Sequence, residues 1–71
     1  MSNDLDTRML AAHAADDRIA LITLYTEAAD VANDVDTACF FLTHAYIFAL
    51  EAGAPQAPAL RQRLVAHGRE E

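Results

Sequence analysis

Read as apolar and polar positions, the chain divides into four helical stretches separated by short breaks. The dominant one is Asp36–Gly53, DTACFFLTHAYIFALEAG, apolar nearly all the way round between an acidic start and a glycine stop. Thr37, His44 and Glu51 recur every seven residues and form a single polar line along it, with Thr43 beside the line and Phe41 and Phe48 flanking it. A helix that is hydrophobic on every side has to be covered on every side. This places the stretch at the centre of a small helical domain. Asp34 or Asp36 suits its N-cap, Gly53 the left-handed position past its end, and Pro55 the first turn of the helix that follows.

The other three stretches are shorter. The first runs from about Asp4 to Ala15, capped by Ser2 or Asn3, with Asp4 and Asp6 in the first turn and Leu5, Met9, Ala12 and His13 on one face. The second runs from about Arg18 to Ala32, with Asp16 or Asp17 as cap. Its polar residues Thr23, Thr26, Glu27, Asp30, Asn33 and Asp34 draw a narrow stripe opposite a wide apolar face of Leu21, Ile22, Leu24, Tyr25, Ala28, Ala29 and Val31. The fourth runs from Pro55 through Pro58 to about His67, with Leu60, Leu64 and His67 inward, Arg61, Gln62 and Arg63 outward, and Gly68 as the stop. No stretch alternates as a strand would. The expected fold is all-α: a small antiparallel array of three to four helices in one domain over residues 1–71, with about 1–3 and 69–71 frayed.

Composition adds a reason for self-association. A chain of 71 residues buries a modest core, and 54% hydrophobic content is high for so small a body. The single cysteine, Cys39, closes no intrachain disulfide, and there is no Cys/His grouping for structural zinc. The net charge of −6 is carried by residues 1–36, with eight acids against two arginines, while residues 37–71 balance three acids with three arginines. An acidic surface of this kind excludes phosphate-backbone binding and attraction to an anionic bilayer, so neither nucleic acid nor membrane is expected as a partner. The apolar run Ala38–Leu50, at 13 residues, is short of the roughly 20 needed to span a bilayer. The polar start MSNDLDTRML lacks the features of an export signal. With a lone free cysteine, this points to the cytoplasm.

Catalytic and metal chemistry find little to work with. The only serine is Ser2, and Cys39 is read as a small buried apolar side chain rather than a reactive thiol, with His44 five residues away and off its helical face. His13, His44 and His67 sit on three different segments. Asp30, Asp34 and Asp36 with Asn33 evoke a calcium loop, but the central glycine is missing and position twelve from Asp34 is Ala45. Helix capping accounts for Asp34 and Asp36. No cofactor, metal or enzymatic role is expected. The aromatic residues suit a core, yet Phe40, Phe41, Leu42, Ile47, Phe48 and Leu50 point in too many directions for three short neighbours to cover, so one or two are expected to be exposed. The candidate interface is Phe40, Phe41, Tyr46, Ile47 and Phe48.

Asp16–Ala29, DDRIALITLYTEAA, resembles the loop and second helix of a tetratricopeptide repeat, with Leu21, Tyr25 and Ala28 at the matching intervals. Leu42-Thr43-His44-Ala45-Tyr46 resembles the Leu-Gly-x-Ala-Tyr core of the next repeat's first helix, with Thr43 where glycine is typical and no tryptophan anywhere in the chain. The resemblance covers about residues 10–65, one to two repeats. It implies a concave groove for a peptide or helix, although no peptide-clamp position can be matched. The function this suggests is a non-catalytic protein–protein interaction module that self-associates through its third helix, with the partner's identity left open. The alternatives are a structural homodimer or accessory subunit without a peptide groove, and, third, a small metal- or redox-linked protein.

Overall fold

The computed structural model describes residues 4–68. The caps at Ser2 and Asn3 and the frayed ends at 1–3 and 69–71 lie outside the described residues. Within them the chain is an all-α array of four helices: α1 Asp4–Ala14, α2 Arg18–Asp30, α3 Val35–Ala52 and α4 Ala57–Ala66.

Local chemistry sets the boundaries. At the end of α1, Asp16 takes a left-handed backbone at φ 54°. The Asp16 N–H then donates to His13 O at 3.1 Å and the Asp17 N–H to Ala12 O at 2.9 Å, a pair that closes the last turn. Asp17 turns at once to capping α2, its carboxylate accepting from the Ala20 N–H at 3.1 Å. The two aspartates thus divide the work: Asp16 ends one helix and Asp17 starts the next. Helix α3 is capped by Asp34, which accepts from the Thr37 N–H at 2.7 Å, so Asp36 falls inside the first turn. It ends on Gly53 at φ 63°, with Ala54 N–H donating to Ala49 O at 2.9 Å. Helix α4 starts at Ala57, not at Pro55, because residues 54–56 are used to turn the chain back; Pro58 then fills the early position that lacks an acceptor.

Helix backbones among the described residues meet only between chain neighbours, α1 with α2, α2 with α3 and α3 with α4. Three arginines fix the directions. Arg18 at the start of α2 reaches Glu51 at the end of α3 at 3.1 Å, so these two run antiparallel. Arg63 late in α4 reaches Asp30 at the end of α2 at 2.7 Å, and Arg8 of α1 holds Glu27 of α2 at 2.8 and 3.3 Å. That forked bond stabilises the charged guanidinium and raises the Arg8 pKa further. Each pair is partly exposed, and solvent screening leaves such pairs with little net contribution to stability. They set register more than stability.

Stability comes from two apolar clusters. The larger lies between α2, α3 and α4 and combines Ile22, Leu42, Leu60 and Leu64 with small residues such as Ala45 and Ala49 that let helices approach closely. The smaller joins Ala12 of α1 to Leu21 and Leu24 of α2. Two inward assignments need correction. Val31 is 65% exposed because α2 stops at Asp30, so its helical phase is lost. His67 is exposed because it caps α4 from outside the helix. The whole forms a slab of 34 × 29 × 12 Å. A body so thin leaves one side of every helix uncovered, including the one that is apolar all round.

Candidate functional site

The uncovered side of α3 carries three of the eight exposed large apolar side chains among the described residues. Its inward residues Cys39, Leu42, Ala45 and Ala49 are buried, Leu42, Ala45 and Ala49 completely. Opposite them, Phe40 is 58%, Ile47 46% and Leu50 55% exposed. With Thr43, which is also exposed, they are spaced three, four and three residues apart and so lie on one line along the helix. Three large apolar side chains are exposed there, more than the one or two expected.

The structure divides the five candidate interface residues. Phe40 and Ile47 stand on the open face. Tyr46 turns to α4, where it lines a shallow hollow with Leu50, Ala57 and Pro58. Phe41 and Phe48 turn the other way, into a ring cluster around Tyr25 of α2. Leu50 was not among the five, although its place on the same line, three residues past Ile47, is readable in the sequence.

The ring cluster fills the space between α1 and α3. Tyr25 has Phe41 at 6.0 Å, Phe48 at 5.6 Å, His13 at 5.8 Å and His44 stacked at 5.2 Å with 14° between planes. The His13 Nε2 and the Tyr25 hydroxyl share a hydrogen bond of 3.0 Å. His44 in turn donates from Nδ1 to Phe40 O at 2.9 Å and lies 4.5 Å from the Phe40 ring. The polar line Thr37–His44–Glu51 therefore does not simply face water. Thr37 serves the Asp34 cap, His44 stacks on Tyr25, and Glu51 is held by Arg18. It is the seam between the ring cluster and the open face.

Other candidates stay apart. His13 and His44 both reach Tyr25, while His67 sits at the far end of α4. Among the described residues no group of three His, Cys, Asp or Glu is placed to hold a metal ion. Cys39 is 3% exposed. Asp34 is committed to Thr37, whose N–H and hydroxyl hold its carboxyl below the usual range, and Asp30 to Arg63. A wide hollow of about 600 Å³ between α1 and α2 is lined mainly by apolar residues such as Ala12, Ala20 and Leu24; of the charged side chains at it, Arg8 is held by Glu27 and Asp17 caps α2. No helix among the described residues is long and apolar enough to cross a membrane, so α3 is not a span. Comparison with family models, with curated proteins and with solved structures finds no match.

Proposed function

We propose that this chain is a non-catalytic protein-contact domain, tetratricopeptide-like in its helical arrangement, that self-associates through the outer face of α3. The observation that carries this is the line of Phe40, Ile47 and Leu50, each about half exposed on one face of α3. Contiguous exposed apolar surface on a small domain marks a contact site. Sedimentation velocity from low micromolar to near-millimolar concentration tests it. The wild type is expected to gain mass with concentration, and Ile47→Glu to remain monomeric with an unchanged helical spectrum. A wild type that stays monomeric throughout refutes the proposal.

The second reading, a structural homodimer without a peptide groove, is favoured by the ring cluster. Tyr25, Phe41, Phe48 and His13 occupy the cleft between α1 and α3 where a groove for a peptide would lie. What is left there is a hollow of about 350 Å³ lined by Leu5, Met9, Val31 and Phe41 among others. Titration with a library of labelled peptides separates the two readings: saturable binding at this cleft supports the groove, and none supports the homodimer.

A further inference from the structure

Independently of the α3 face, we infer that α1 is an exchangeable element: the turn at 15–17 opens into a continuous helix over 4–30, and the place of α1 on α2 is taken by α1 of a second copy. The turn is the first observation. Among the described residues Asp16, at φ 54°, is the only non-glycine residue with a left-handed backbone. The other two left-handed positions are Gly53 and Gly68, where a missing side chain makes the conformation easy. At Asp16 a side chain bears the strain. The flanking sequence gives no reason for a break: Ala11–Ala20, AAHAADDRIA, has no glycine or proline and is rich in alanine, the best helix former. A short, strained connection between helix-forming segments favours exchange of an element between copies.

Opening the turn strands no backbone group. In the closed form the Asp16 N–H donates to His13 O and the Asp17 N–H to Ala12 O. In a continuous helix the two exchange acceptors, Asp16 taking Ala12 O and Asp17 taking His13 O. The Ala20 N–H, held at 3.1 Å by the Asp17 carboxylate, passes to Asp16 O.

Register says what the opened helix meets. Among the described residues α1 meets the backbone of α2 alone, and Ala12 is its only buried residue. Its polar ties to α2 are the Arg8–Glu27 fork and the His13–Tyr25 hydrogen bond. The midpoint of Arg8 and Glu27 falls between Asp17 and Arg18, and that of His13 and Tyr25 at Ile19, so the pairing is centred on the turn and the start of α2. Two straight helices of about 27 residues, ~40 Å long, laid antiparallel about a two-fold axis at that centre, repeat the same pairs between chains. Arg8 of one copy meets Glu27 of the other, His13 meets Tyr25, and Ala12 enters the cluster of Leu21 and Leu24. Each group keeps the kind of partner it already has, and Arg18 keeps Glu51 of its own chain. The exchange gives up the Asp17 cap and gathers Asp16 and Asp17 of both copies beside the axis. Those costs hold the chain closed when it folds dilute, and the swapped dimer forms when chains fold together at high concentration.

Hinge variants test this in an Ile47→Glu background, which takes the α3 face out of the result. Asp16→Gly relieves the left-handed turn, whereas Asp16→Ala disfavours it and suits a helix. Each is refolded from urea at near-millimolar concentration and run by size exclusion. Asp16→Ala is expected to hold roughly tenfold more dimer than Asp16→Gly, with the unchanged hinge between them. Equal dimer content, or monomer in both, overturns the exchange while leaving the α3 contact untouched. If Asp16→Ala does not fold, the unchanged hinge against Asp16→Gly decides by the same criterion. The identity of the dimer is read by adding Cys39→Ala and refolding together an isotopically heavy Arg8→Cys chain and a light Glu27→Cys chain. The mixed 8–27 disulfide should exceed the self-linked products several-fold by mass spectrometry. A statistical mixture, or self-linked products in excess, overturns the exchange of α1.

Discussion

Phe48→Ala and Ile47→Ala change neighbouring residues of one helix, yet the structure assigns them to different tasks. Phe48 is partly buried and packs against both apolar clusters, with its ring 5.6 Å from Tyr25 and 6.1 Å from His13. Truncating a fully buried Phe costs about 3–5 kcal/mol through lost transfer energy and the cavity left behind. Allowing for its partial exposure, and for ring contacts worth about 1 kcal/mol, about 2–3 kcal/mol is expected. A domain of this size holds roughly 4–10 kcal/mol in all. At about 4–8 °C per kcal/mol the melting temperature falls by roughly 10–20 °C. Ile47, 46% exposed and outside both clusters, should cost under about 1 kcal/mol, offset by the better helix propensity of alanine. Urea unfolding followed by circular dichroism, at low micromolar concentration where association does not add to stability, measures both. Equal losses, or a larger loss for Ile47→Ala, would refute the division of α3 into an inner ring cluster and an outer contact face.

Two further predictions concern how α3 begins and ends. Gly53→Ala meets no atom within 4 Å, so its cost is the backbone strain of a left-handed alanine, about 1 kcal/mol, and a calorimetric melting temperature lowered by several degrees checks it. The Asp34 carboxyl is held below its ordinary 3.8 by the Thr37 N–H and hydroxyl. Its charged form therefore stabilises the fold above that value, and this contribution is lost as pH falls through the depressed folded value. The stability gap between wild type and Asp34→Asn should be constant from pH 5 to 7 and close on acidification; a gap that widens in acid would contradict the cap.

Much of the architecture was legible because it depends on short-range chemistry. Gly53 and Asp34 mark the ends of α3 by conformational freedom and capping, and Leu60 and Leu64 lie on a stripe that only a core can satisfy. Where the reading slipped, two residues competed for one task. Asp16 and Asp17 were interchangeable as caps until the left-handed turn claimed Asp16. Pro55 and Pro58 both suited an early helical position, and the length of the turn settled it for Pro58.

The candidate contact face divides in the same way. By itself the sequence determined that α3 is apolar nearly all round, that its polar residues form one line, and that three neighbours too short to enclose it would leave apolar surface exposed. Periodicity gives the angle between side chains on a helix but not the direction from which neighbours arrive. Only the tertiary structure decided that Tyr25 draws Phe41 and Phe48 to one flank, that α4 takes Tyr46 on the other, and that Phe40, Ile47 and Leu50 are left facing out. The physical reason is that burial is a property of pairs of surfaces, and one helix's sequence specifies only its own half.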